Sequence, residues 1–272
     1  VDVDVLGHAH EALLDARQRH RRGVFYTPAD VAAALVGLVL PAPEPQAHRA
    51  EGARWASEPE GPPTLLDPAS GGGAFLLAAA RHLEDQGWSR VVIVEQALWG
   101  VDIDPLAVGV ADAVLRCWAA ADESAPGKAA ARVRTNLLVG DTLADGPAVL
   151  AGRRGGATAP PEGFDAVVGN PPFQNQLSRG TARDASTAAA ARTWSGAAAH
   201  RYADTSTVFV AAALQLARPG GRVGLILPQS FLAADDAAAV RDGVLATAAV
   251  EHLWVANEAV FAANVRVCAP VL

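Results

Sequence analysis

The sequence predicts an α/β protein built on an open, doubly wound sheet of seven mostly parallel strands. Short apolar runs of strand character alternate with helical stretches, the pattern of a parallel sheet covered by helices on both faces. The 272 residues, 51% apolar and 19% charged, suffice for one large α/β domain with a full core, or one domain and a small appendage.

Taken in order, the first expected element is a helix over Pro28–Leu40. Pro41–Pro63, rich in Pro, Ala and Glu, reads as a linker, so that residues 1–63 form an N-terminal helical segment and 64–272 the sheet domain. Strands are expected at Thr64–Asp67, Leu98–Asp102, Val133–Leu138, Phe164–Asn170, Arg222–Pro228, Val250–Ala256 and Val265–Leu272. Between them, helices are expected at Gly73–Gln86, Pro105–Trp118, Thr207–Ala217 and Asp235–Leu245. Ala121–Ala131 and Asp145–Gly163 read as Gly/Pro/Ala surface loops. Gln174–Arg201 is a long interruption carrying Arg179, Arg183, Arg192 and Arg201 with little acidic compensation. Loops of that length inside a domain are functional or disordered.

Composition narrows the function classes. No apolar run reaches the ~20 residues of a membrane span, and Val1–Asp15 lacks the basic and apolar regions of a signal peptide. A cytoplasmic location is expected. Cys117 and Cys268 stand far apart without metal-type spacing and read as two buried free thiols, so no metal is expected. The net charge of −7 argues against a general nucleic-acid binder with a broad basic face, but leaves room for a local basic cluster. The sequence contains no methionine and begins with valine, which is unusual for a complete gene product.

Four segments carry chemistry. In Leu65-Leu66-Asp67-Pro68-Ala69-Ser70-Gly71-Gly72-Gly73-Ala74-Phe75 an apolar strand ends in an acid, passes through glycines and enters a helix. Glycines allow close backbone approach to a ligand, and a helix N-terminus offers outward amides. The spacing differs from the dinucleotide fingerprint GxGxxG, which disfavours nicotinamide or flavin. Gly100-Val101-Asp102-Ile103-Asp104-Pro105 follows by about one βαβ unit. An acid at that strand end is placed to accept hydrogen bonds from ribose hydroxyls, with Asp102 the better candidate and Asp104 able to cap the next helix. Asp141, in Val139-Gly140-Asp141-Thr142, is either a turn residue or a partner for an adenine amino group.

The most specific segment is Phe164-Asp165-Ala166-Val167-Val168-Gly169-Asn170-Pro171-Pro172-Phe173. An apolar strand delivers Asn170 at its C-terminal end, where ligands bind in such sheets. Pro171 excludes helical backbone at Asn170 and, lacking an N–H, keeps only a carbonyl acceptor. The Asn170 side-chain carbonyl and the Pro171 carbonyl together suit a planar NH2, and Phe173 supplies a face for stacking a base.

These segments, in this order, resemble the class I methyltransferases that act on amino groups. Gly23-Val24-Phe25-Tyr26-Thr27-Pro28, placed before the glycine loop, is similar to the cofactor-contacting motif of gamma-class N6-adenine DNA methyltransferases of restriction–modification systems. Tyr202–Phe231, with Phe209, Pro219-Gly220-Gly221-Arg222 and Leu227-Pro228-Gln229-Ser230-Phe231, resembles that class too, so the resemblance covers the chain from about Arg22 onward. It implies a Rossmann-like class I methyltransferase fold with an antiparallel last strand, S-adenosyl-L-methionine as cofactor, and double-stranded DNA as partner. A cognate restriction endonuclease or a fused specificity domain would act alongside. Cofactor contacts are implied for Thr27, Asp67, Ala69, Gly71, Asp102, Asp141, Asn170, Pro172 and Phe209, and catalytic contacts for Asn170, Pro171, Pro172 and Phe173. Phe173 and Phe261 would stack the target base, Phe261 being alternatively a buried core residue.

Two departures are Ser70, where the family often has cysteine, and Phe173, where tyrosine is commoner. Family members usually continue into a target-recognition domain; the sequence stops at Leu272, so that domain is expected to be absent from it. Rival readings are methylation of a protein glutamine or of an rRNA base amino group, and a non-catalytic methyltransferase-like module of a larger complex. The segment Phe25-Tyr26-Thr27-Pro28 favours DNA over the other acceptors.

Overall fold

The computed structural model describes residues 27–40, 61–121, 130–151, 158–173, 194, 204–258, 260–261 and 265–272. The expectations for residues 1–26, for most of the linker and for nearly all of 174–203 lie outside the described residues. One mixed sheet organises the rest. Strands β1 (Leu65–Asp67), β2 (Leu98–Asp102), β3 (Asn136–Val139), β4 (Phe164–Gly169) and β5 (Ala217–Leu225) are mutually parallel in the order β3-β2-β1-β4-β5. The sheet continues through β8 (Val267–Val271), antiparallel to β5, to β6 (Leu227–Pro228) and to β7 (His252–Val255). The doubly wound, mostly parallel sheet and its antiparallel last strand are as the sequence and the resemblance led one to expect.

Helices α1 (Ala29–Val39), α2 (Ala74–Asp85), α3 (Arg90–Val92), α4 (Pro105–Ala119), α5 (Thr142–Asp145), α6 (Thr205–Leu216) and α7 (Ala238–Thr247) cover the two faces. Alternate strand residues divide between them, because successive side chains on a strand point to opposite sides. Leu65, Leu98, Ala166, Val168, Val267, Ala269 and Val271 face a core shared with α1, α2 and α4. Leu66, Trp99, Val101, Val167, Val223 and Leu225 face the core under α5, α6 and α7. The α1 helix lies directly on the sheet: a Cβ added to Gly224 of β5 would fall 2.6 Å from Val39 Cγ1 and 3.0 Å from Leu35 Cδ1.

Local chemistry explains the element ends. Asp104 accepts a hydrogen bond from the Leu106 N–H (2.9 Å) with Pro105 in the first helical position, so it caps α4 as an N-cap aspartate should. Asp204 caps α6 through the Ser206 N–H at 2.8 Å. Buried Asn136 satisfies its amide by donating to the carbonyls of Glu95 and Leu98, both at 3.0 Å.

Several boundaries differ from expectation. The fifth predicted strand is two strands, and the first begins at Ala217 rather than Arg222. Phe164 pairs with Ala217 and Ala166 with Arg222, so residues 218–221 bulge out opposite Asp165. The Pro-Gly-Gly stretch has the composition of a turn but here forms that bulge, held by Arg218 Nε on Asp165 Oδ1 at 2.6 Å. Ala217 therefore leaves α6, the predicted Thr207–Ala217 helix, which instead starts at Thr205. The third strand begins at Asn136, not Val133. The predicted loop from Asp145 opens with a 3-10 turn over Gly146–Ala151. Cys117 is exposed on the outer side of α4, not buried; Cys268 is buried, and burial pushes its thiol up to about 11. No helix among the described residues is long and apolar enough to cross a membrane.

Candidate active site

Strand order reverses between β1 and β4, and the C-terminal ends of those two neighbours frame the crevice where ligands of doubly wound sheets bind. Asp67 closes β1 there and Asn170 follows β4. Gly169 makes this adjacency possible: a Cβ at that position would stand 2.7 Å from Asp67 Oδ1. Asp67 is 1% exposed and accepts the Ala69 N–H at 3.0 Å. Burial pushes its carboxyl up to about 8; the Ala69 amide pulls the other way, and the charge of Asp102 adds to the rise.

A carboxyl held neutral to that extent has a thermodynamic signature. Folded Asp67 keeps a proton that the unfolded chain releases near pH 4, so stability falls as pH rises from about 4 to about 8. Asp67→Asn, neutral at every pH, is expected to flatten that slope in thermal unfolding measured at a series of pH values; an unchanged slope would mean Asp67 is ionised in the fold.

The glycine turn is built from backbone bonds. Ser70 N–H donates to Val101 O (2.9 Å) and Gly73 N–H to Ser70 O (2.8 Å). Gly71, at φ +49°, donates its N–H to Asp102 Oδ2 at 2.8 Å, while the Asp104 N–H donates to Oδ1 at 2.8 Å. Asp102 thus ties the turn to the end of β2 with both oxygens. Among the described residues, a Cβ placed on Gly71 would meet nothing within 4 Å. Ser70 Oγ is buried with no hydrogen-bond partner among the described residues.

One strand further out, Asp141 Oδ1 accepts from the Leu143 (2.9 Å) and Ala144 (3.1 Å) amides and caps α5. Its neighbour Thr142, which sequence reasoning passed over, donates its hydroxyl to Pro68 O at 2.7 Å and fastens the end of β3 to the turn. Phe209 of α6 is 6% exposed and sits in the cluster of Leu66, Trp99 and Leu143 against which Ala69 packs. Trp194 joins the same cluster and donates its indole N–H to Leu143 O at 3.0 Å.

On the β4 side, Asn170 Nδ2 donates to Thr27 Oγ1 at 3.2 Å, and Thr27 is 5% exposed. Gly169 O accepts the Ile226 N–H at 2.9 Å, which locks the end of β4 to the break between β5 and β6. Pro171 is buried, Pro172 and Phe173 are half-buried. Phe173 meets the buried Phe261 ring edge-on, with centroids 6.4 Å apart and planes at 68°. Thr27, Asp67, Ala69, Gly71, Asp102, Asn170 and the two prolines therefore gather around one end of the β1–β4 crevice, with Asp141 and Phe209 flanking the turn from the other side. The Thr27–Asn170 bond joins residues 143 positions apart, and no sequence signal pointed to it.

A class I methyltransferase arrangement is what this sheet order, glycine turn and Asn-Pro-Pro-Phe rim define. The chain matches the N-6 DNA methylase family over residues 1–272 and belongs to that family. Among solved structures it is similar to the type I restriction–modification methyltransferase subunit from Streptococcus thermophilus, with 18% identity and a TM-score of 0.59 over 100% of this chain and 50% of that one. The EcoKI M protein, from a type I restriction enzyme, gives 15% identity and 0.59 over 92% of this chain and 44% of that one. The DNA-bound, ATP-dependent type ISP restriction–modification enzyme LlaBIII gives 13% and 0.67 over 99% and 20%. At these identities the likeness is one of fold, and the chain spans half or less of the length of each of these proteins.

Proposed function

We propose that the chain is the catalytic part of a cytoplasmic, site-specific DNA methyltransferase that moves a methyl group from S-adenosyl-L-methionine to N6 of an adenine flipped out of double-stranded DNA. The observation that carries this reading is Asn170-Pro171-Pro172-Phe173 at the rim of β4, beside the glycine turn of β1. Membership of the N-6 DNA methylase family supports it. So do the restriction–modification enzymes of like fold, LlaBIII being bound to DNA.

The residues present suit the cofactor. No described residue crowds the outer side of Gly71, which suits a ligand lying against the turn. Asp102, oriented by two amides, is the acceptor for ribose hydroxyls. When bound, S-adenosylmethionine supplies an electrophilic methyl group on a sulfonium. The Asn170 side-chain carbonyl and the Pro171 carbonyl accept the two N–H bonds of the adenine amino group. They localise its lone pair and stabilise the positive charge that develops during attack. Phe173 stacks the extruded base, an aromatic contact returning ~1–3 kcal/mol against an extrusion cost of a few kcal/mol, while Phe261, buried in the core, backs its ring edge-on. Residues 1–63 act as the cofactor-side segment of the same unit, and a cognate endonuclease or specificity domain is the expected working partner.

The direct test uses tritiated S-adenosylmethionine and unmethylated genomic DNA, followed by digestion to nucleosides. Label in N6-methyladenine is expected. Label found only in protein or ribosomal RNA, or cofactor binding with no transfer to any acceptor, would replace this reading by one of its rivals.

A further inference from the structure

We propose that Thr27 is a positioning residue whose hydroxyl anchors the Asn170 amide so that Oδ1 is the atom turned toward the target amino group. The proposal rests on the methyltransferase reading and assigns Thr27 a task different from the cofactor contact implied by resemblance.

Three points of chemistry and one contact lead to it. Pro171 restricts the backbone of Asn170 but leaves its terminal torsion loose, because the last torsion of an asparagine has broad, roughly two-fold preferences. The amide is chemically two-sided, an acceptor on one edge and a donor on the other. Catalysis needs the acceptor edge outward: with Nδ2 outward, donor would face donor and the target amine would be repelled. An internal acceptor for Nδ2 therefore decides how the residue works, and Thr27 Oγ1 supplies it at 3.2 Å.

Thr27 is well built for the purpose. It is 5% exposed, so water competes poorly for the bond. Its β-branched side chain is stiff. It is followed by Pro28 and α1, which packs on α2 and on the sheet, so the anchor is carried by a fixed element rather than a free terminus. The amide sits at the end of β4, which the Gly169–Ile226 bond holds in turn.

The test compares wild type with Thr27→Val, which keeps the shape and removes the acceptor, and Thr27→Ser, which restores it; Thr27→Ala serves if the valine variant does not fold. Methyl transfer to unmethylated genomic DNA gives kcat and KM, and calorimetry gives the Kd for S-adenosylmethionine. The Asn170 side-chain NH2 is followed by 15N NMR, its resonance assigned by its loss in Asn170→Ala. Thr27→Val is expected to lower kcat about tenfold with the cofactor Kd within about twofold of wild type, and Thr27→Ser to recover most of the rate. The Asn170 NH2 protons should exchange faster with water in Thr27→Val than in wild type or Thr27→Ser. A valine variant with full kcat, a loss confined to cofactor Kd, or unchanged NH2 exchange overturns the anchor. If wild-type protein transfers nothing, the methyltransferase reading fails by itself, and the NMR comparison still decides whether Thr27 holds the amide.

Discussion

Asn170→Ala is expected to lower methyl transfer by at least about 10²-fold while S-adenosylmethionine still binds. Removing a group that stabilises charge only as it develops costs roughly 10²–10³ in rate, and the loss falls on turnover rather than on ground-state binding. Asn170 stands at the rim of β4, and the contacts that shape the glycine turn run instead from Gly71 to Asp102 and from Ser70 to Val101. Truncating the amide leaves that turn intact. A tritiated-methyl assay paired with a calorimetric titration separates the two quantities. Turnover near wild type in the mutant would defeat the assignment of Asn170 as the amine's acceptor.

Asp102→Ala should show the converse, a cofactor affinity weakened by about 10–100-fold. Charge-assisted hydrogen bonds to a carboxylate are worth ~1.5–3 kcal/mol, and each ~1.4 kcal/mol is a factor of ten in affinity. The structure adds a second cost. Asp102 receives the Gly71 and Asp104 amides at 2.8 Å each, so its loss also loosens the turn that the ligand meets. Asp102→Asn separates the effects, since a side-chain amide keeps one acceptor while removing the charge. An unchanged Kd for S-adenosylmethionine in Asp102→Ala would show that the ribose is held elsewhere.

Where periodicity and punctuation coincide, the sequence was readable almost to the residue. Leu98–Asp102 is predicted and found with the same bounds, because an apolar run ends in an acid followed by a proline that starts α4. The Asp104 cap followed from the same local rule. Local rules failed where tertiary pairing outweighed composition. Pro219-Gly220-Gly221 looks like a turn, yet β5 begins at Ala217, because Arg218 and Asp165 hold a bulge across two strands. The α5 helix is too short for a period to register, and its cap at Asp141 is visible only in three dimensions. The site shows the same division. Each motif lies within a contiguous stretch and was recognisable as such. The Thr27–Asn170 contact comes from distant segments and carried no pattern of its own, whereas the resemblance had already brought Phe173 and Phe261 to one place, though as partners of a base rather than of each other.

The missing side chain at Gly224 reaches further than its own neighbourhood. Because α1 rests flush on β5 at that point, the height of the helix above the strands also sets where the residue leading into it can reach. Any bulk at Gly224 would act like a shim beneath a beam, pressing on Leu35 and Val39 and lifting that end of α1 from the strand. A buried glycine thereby sets how closely the helix that follows Thr27 can lie on the sheet.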